Sequence, residues 1–374
     1  MRTITKYALC SGLVLAGGLL LAPELVHSHR AADSASEAGA AQQLVRCGTN
    51  LANVSATAGT TYALEDGCTY SGAGNSQGTL LNVAANNVTI TSYGSGNLPV
   101  IKHNGSYGSD IAVSGKGDKI ENVRLTGTGY SGQGDNDYEI GVDVTGSNDT
   151  FYNLKFEGAG NPPAPDPLYA GIYLESSASN NTVNDIYVND VDALNPSNLG
   201  SGAFGVLLWG SNNTIKNSTF NNQDVKSSVY GYDGSGVEVY GSASNNLIEG
   251  NTGYNDNSFS ELGTDTPSKA PTGNQYLDNK YTGAKSGDEG FITTRGSGDT
   301  ANGPVHDTIM KGNTVTNAQT TSYAWKNGDG TLLSLANNTF NDPGHTALSS
   351  DGGCVNSGGN HVKAGSVQGG CIPS

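Results

Sequence analysis

The segment Asn-Asn-Thr-Ile-Lys-Asn-Ser-Thr-Phe at residues 212–220 returns along the chain in related forms. Relatives are Asn148-Asp149-Thr150-Phe151, Asn180-Asn181-Thr182-Val183, Asn245-Asn246-Leu247-Ile248 and Asp307-Thr308-Ile309-Met310. The apolar anchors Ile90, Ile120, Phe151, Val183, Ile215, Ile248, Tyr276, Ile309 and Phe340 recur about every thirty residues, and a period of that size means stacked structural units, a solenoid. A second segment precedes the Asn motif in most units: Gly141-Val142-Asp143-Val144, Gly171-Ile172-Tyr173-Leu174, Gly205-Val206-Leu207-Leu208 and Gly236-Val237-Glu238-Val239. Alternation with a period of two between glycines reads as short strands. No stretch offers a convincing helix of three turns. The expected fold is all-β, one right-handed parallel β-helix over 47–374, with Val142, Ile172, Val206 and Val237 in one inward column. The repeated Asn residues are expected to form side-chain ladders that satisfy buried turn amides.

The start of the chain reads as an export signal over 1–28, followed by a short linker over 29–46. Arg2 and Lys6 precede a nearly continuous apolar run from Tyr7 to Ala22, and small and polar residues follow from Ser28. The run is too short for a membrane span, so the protein is expected to be secreted and extracellular, with no membrane partner. Four cysteines remain beyond the signal. The expected bridges are local, Cys47–Cys68 and Cys354–Cys371, one stapling each end. The formal net charge is −16, and no basic cluster offsets it, which excludes nucleic acid as a partner. The same charge repels acidic glycans unless cations bridge the two.

The chain resembles the pectate-lyase-like β-helix superfamily, by its repeat from Cys47 onward and by the opening Gly59-Thr60-Thr61-Tyr62-Ala63-Leu64-Glu65-Asp66-Gly67-Cys68. That resemblance implies a right-handed helix of parallel strands and an enzyme acting on acidic polysaccharides. The run Tyr230-Gly231-Tyr232-Asp233-Gly234-Ser235 is similar to the Tyr-Gly-Phe-Asp-Pro-His motif of alginate C5-epimerases, β-helices whose active site holds the Tyr, Asp and His. Tyr230 and Asp233 match its Tyr and Asp, Tyr232 stands at its Phe, and Ser235 replaces its His. The Asn-Thr-Asp, Asp-Asp and Gly-His-Gly signature of polygalacturonases is absent.

Long insertions fall before the Gly-bounded strand in consecutive units, at 130–139, 160–169, 195–204 and 222–235. Stacking brings them to one face, where chemistry on a rigid scaffold usually sits. The outward positions beside them are Asp143, Tyr173, Glu175, Trp209, Glu238 and Tyr240, with Arg295 in the column of Glu175, Trp209 and Tyr240. Aromatic faces stack on sugar rings and carboxylates bind hydroxyls or cations, so this composition points to a polysaccharide cleft. Three readings follow. The leading one is a lyase that cleaves a uronate-containing polysaccharide by β-elimination. Arg295, or calcium held by Asp233, Glu238 and Glu261, would neutralise the sugar carboxyl, and Tyr230, Tyr232 or Lys226 would move the proton. The second is glycoside hydrolysis by a carboxylate pair among Asp233, Glu238 and Glu261. The third is a glycan-binding β-helix without catalysis. Beyond the candidate calcium, no cofactor is implied.

Overall fold

In the computed structural model, residues 41–104, 108–128, 139–192, 202–227, 231–264, 266–283, 290–328, 333–350 and 354–369 are described. The export segment 1–28, Tyr230, Cys371 and much of the insertions at 130–139 and 195–204 lie outside the described residues.

The chain winds as a parallel β-helix. The strands of the helix pair in parallel with their counterparts one turn away, as in Ile172 against Val142 and Val206, and Val206 against Val237. Those four residues are fully buried in a single inward column, as the alternation predicts. Among the described residues the only helical segments are the 3-10 turns Leu51–Asn53 and Pro267–Lys269. Among the described residues no helix is long and apolar enough to cross a membrane.

Two details differ from the sequence reading. The first strand among the described residues is Ala41–Val45, which pairs with Thr60–Glu65 and lies inside the stretch expected as linker. Only Val45 is buried there, and its carbonyl accepts from Tyr70 Oη at 2.6 Å, so the segment carries no alternation that would reveal it. The second difference is register. Met310, rather than Ile309, continues the column of Ile248 and Tyr276, and Phe340 pairs with Val315 on another face. The left-handed residue sets the frame. Asn245 (φ 57°) and Asp307 (φ 56°) hold equivalent turns, so the inward residue lies three positions after each.

The doubled Asn motif divides its labour. Asn148, Asn180, Asn212 and Asn245 adopt left-handed backbone at φ 57–62°, a conformation Asn tolerates better than most residues. The next residue forms the ladder. Asn181 N–H donates to Asn213 Oδ1 (2.9 Å), Asn213 N–H to Asn246 Oδ1 (2.8 Å) and Asn246 N–H to Asn274 Oδ1 (3.0 Å). A second ladder runs Asn251, Asn279, Asn313, Asn338, Asn360 at 2.9–3.0 Å. Cys47 and Cys68 are bonded as expected. Cys354 is disulfide-bonded as well, and its expected partner Cys371 lies outside the described residues.

Toward the N-terminus the first ladder changes from amides to acids. Asp149 Oδ1 accepts from Asp118 N–H at 2.8 Å, and Asp118 Oδ1 from Val88 N–H at 2.7 Å. Where Asn181 Nδ2 donates to Gly146 O, Asp149 offers Oδ2, a buried atom with no partner. A Cβ at Gly146 would sit 2.4 Å from Gly115 O and 2.6 Å from Asp149 Oδ2, so a glycine is needed at this approach. Only a protonated Asp149 can donate as Asn181 does. Burial, with the Asp118 charge adding to it, raises its pKa from 3.8 to about 7. The folded state therefore holds a proton that the unfolded chain releases, and the stability Asp149 contributes falls as pH rises from about 4 to about 7. Asp149→Asn should leave thermal stability near pH 4 unchanged and raise it above pH 7. The gain should approach the roughly 1–3 kcal/mol cost of an unsatisfied buried group. Melting curves of both proteins at the two pH values check this, and an equal shift at both would refute it.

Candidate active site

The parallel register assembles the site. Strand pairing sets Asp143, Tyr173, Leu207, Glu238, Glu261 and Thr293 in one outward column. Just beyond it, the backbone bonds Trp209 N–H to Leu174 O and Tyr240 N–H to Leu208 O continue the ladder. These bonds align Glu175, Trp209 and Tyr240, and Arg295 follows Thr294 into the same row. Neighbouring turns lie about 4.8 Å apart, so Glu175, Trp209 and Tyr240 follow one another at that spacing, and Gly263 stands between Tyr240 and Arg295.

Outward does not mean exposed here. Leu207 and Glu238 retain 8% of their exposure and Thr293 none, because the pre-strand segments fold over the sheet. The strands Val225–Ser227 and Gly231–Asp233 form an antiparallel hairpin. It brings Tyr232 and Asp233 beside Glu238, while Tyr230 is outside the described residues. Gly234 makes the return possible. Its φ is 117°, and a Cβ there would meet Gln223 O at 2.7 Å and Ala203 O at 2.9 Å. The result is a cavity of about 350 Å³ lined by Tyr169, Phe204, Leu207, Trp209, Tyr232, Asp233, Glu238, Tyr240, Asn257, Glu261, Arg295 and Asn302. That size suits a small-ligand pocket.

The cavity has an apolar wall and an acidic floor. Trp209 packs with Tyr240 at 5.7 Å between ring centroids and with Tyr173 edge-on at 6.1 Å. Tyr169 meets Phe204 edge-on at 5.3 Å. On the floor, Asp233 accepts from Gly234 N–H (2.8 Å) and Gly202 N–H (3.2 Å). Burial and then the Glu261 charge push its pKa up to about 6, against the pull of those amides and Arg295. Glu238 is raised well above the ordinary carboxyl range, first by burial and then by Glu261 and Asp233. Ser235, at the place of the epimerase His, donates its hydroxyl to Glu238 Oε2 at 2.9 Å. Arg295 donates from Nε and Nη2 to Glu261 Oε1, and its guanidinium lies 4.3 Å over the Trp325 ring.

The structure thus gathers Tyr232, Asp233, Glu238, Glu261, Arg295, Trp209 and Tyr240. Asp143, Tyr173 and Glu175 stand one to three turns away on the same face. Burial followed by the Glu175 charge raises Asp143 to about 6, and burial raises Glu175. Sequence reasoning missed Tyr169, Phe204, Asn257, Asn302 and Trp325. Tyr169 and Phe204 carried a signal, as aromatics entering a Gly-bounded strand. Among the described residues, the one trio of His, Cys, Asp or Glu ligand atoms within 4.8 Å of one another is Cys47, Glu65 and Cys68, which includes the disulfide.

No protein-family model matches the chain, and no curated protein matches it. Among solved structures it is similar to an alginate lyase from Paenibacillus sp. str. FPU-7, with a TM-score of 0.57 at 14% identity. That likeness covers 88% of this chain and 99% of the lyase. It is also similar to a mutant tailspike protein of E. coli bacteriophage HK620 in complex with a pentasaccharide, with a TM-score of 0.54 at 13% identity. There it covers 82% of this chain but 57% of the tailspike, so the chain spans little more than half of that protein. At these identities the likeness is one of fold, the parallel β-helix.

Proposed function

We propose that this cleft cleaves glycosidic bonds in a polysaccharide, with Glu238 as the proton donor to the leaving oxygen. The observation that carries this reading is the divided pair of carboxyls in one pocket. Glu238 is buried and kept protonated by its surroundings, while Asp233 is held by two backbone amides and ionises near 6. Titratable groups whose environments push them apart mark acid and base. In the hydrolytic route Glu238 passes its proton to the glycosidic oxygen as the C–O bond breaks. Water attacks the anomeric carbon, and Asp233 takes the water's proton. Glu261 and Arg295 position the pair, and the Glu261 charge helps keep Glu238 protonated. Trp209 and Tyr240 offer aromatic faces to a sugar ring.

β-Elimination remains the second reading, favoured by Arg295 and Tyr232 lining the same pocket. Arg295 is already bonded to Glu261, so a sugar carboxyl would have to compete for it. Products separate the two routes. Hydrolysis releases reducing ends without the 235 nm absorbance of an unsaturated uronate, and elimination yields both. Addition of a chelator tests the calcium requirement that elimination by the acidic trio would carry. The hydrolytic pair also predicts a bell-shaped pH profile. Activity rises as Asp233 ionises near pH 6 and falls as Glu238 loses its proton at a higher pH. An activity independent of pH between 4 and 9 would exclude this assignment.

A further inference from the structure

We infer that the sugar seated in this pocket is uncharged and presents hydrogen-bond donors, hydroxyl or acetamido N–H, to an acceptor-rich floor; the inference rests on the glycan-cleaving reading above. Three carboxyl groups line the cavity, Asp233, Glu238 and Glu261, against one cation, Arg295. Arg295 is spent, since Nε and Nη2 both donate to Glu261 and its face is covered by Trp325. No lysine is among the residues that line the cavity. Lys226 lies 4.9 Å over the Tyr232 ring, and Lys326 lies 4.2 Å over the Trp325 ring and 3.8 Å from Asp299.

The unpaired polar atoms point to the same ligand. Asn257, 3% exposed, turns Oδ1 into a buried position with no partner, and an acceptor there calls for a donor on the sugar. Trp209 Nε1 is a buried donor without a partner, and a hydroxyl or carbonyl oxygen of the sugar would meet it. A neutral sugar satisfies both. A uronate or sulfated sugar would bring another anion beside Glu261, where the one cation lining the cavity is already paired, leaving a charge unpaired in a partly buried site.

The test uses the full chain carrying Glu238→Gln, which can bind without turnover, and oligosaccharides of equal length. One set is built of neutral hexoses and N-acetylhexosamines, and the other is cut from alginate, polygalacturonate and hyaluronan. Titration calorimetry should find neutral oligomers binding at least tenfold tighter than any uronate oligomer. In the same background Glu261→Gln, which releases Arg295, should improve uronate binding by about tenfold and so narrow the gap. Equal or tighter binding of uronates by Glu238→Gln overturns the inference, as does binding of neither set. The cleavage reading is judged separately on the native protein. Cleavage of a uronate polymer that requires Glu238 would leave that reading standing while this inference falls. Tight neutral binding with no cleavage of the bound glycan would do the reverse.

Discussion

Glu238→Gln is expected to lower kcat on the glycan substrate by about a hundred- to ten-thousandfold, the range for loss of a general acid. The amide keeps the shape of the carboxyl and can still accept from the Ser235 hydroxyl, but it has no proton to give. KM should move little, because stacking on Trp209 and Tyr240 is untouched. The fold should tolerate the change, since Glu238 is buried among like charges and removing its titration relieves the site. A steady-state assay beside a melting curve separates the outcomes. Normal turnover in a folded Glu238→Gln protein would remove Glu238 from the mechanism. A slow residual activity that still rises as Asp233 ionises near pH 6 but no longer falls at higher pH would be consistent with positioning and the Asp233 base alone. Asp233→Asn should give a comparable loss, and the double variant should lose little more than either single one, because acid and base act on one bond.

Asn279→Leu should be the most damaging substitution away from the cleft, costing about 3–5 kcal/mol of stability. Asn279 Oδ1 accepts from both Asn251 N–H and Asn251 Nδ2, while its own Nδ2 donates to Ile248 O and to Asn313 Oδ1. Leucine has similar bulk but strands these groups in a fully buried turn, where each unmet donor or acceptor carries its full desolvation penalty. Denaturant unfolding measures the loss. Exposed Tyr254 on a nearby turn provides the control, since Tyr254→Ser should change stability by less than about 0.5 kcal/mol. A cost below 1 kcal/mol for Asn279→Leu would mean the ladder is dispensable.

The solenoid was legible because its instructions are local and repeated. Asn180-Asn181 and Asn212-Asn213 each specify a left-handed residue and then a ladder amide within two positions. Val142, Ile172, Val206 and Val237 alternate with outward-facing neighbours in short strands whose register follows from those turns. Where the turn chemistry changed, the reading slipped by one residue, as at Asp307-Thr308, where Thr308 stands at the ladder position and Met310 takes the inward place expected of Ile309. Where a strand has no alternation, as at Ala41–Val45, nothing in the sequence announced it.

The candidate site divides along the same line. That Glu238, Tyr240, Trp209 and Arg295 share one outward face followed from counting by twos along each strand, because side-chain direction in a strand depends only on the chain itself. The burial of Glu238, the Gly202 amide on Asp233 and the bonds from Arg295 to Glu261 did not follow. Each depends on a hairpin folding over the sheet, or on a neighbour 20 or more residues away whose approach no local pattern encodes. Protonation states belong to this second group, since burial and nearby charge set them. The sequence by itself therefore determined the solenoid, its ladders and the face that carries the cleft. Tertiary structure alone decided which acid on that face keeps its proton and which cation is already taken.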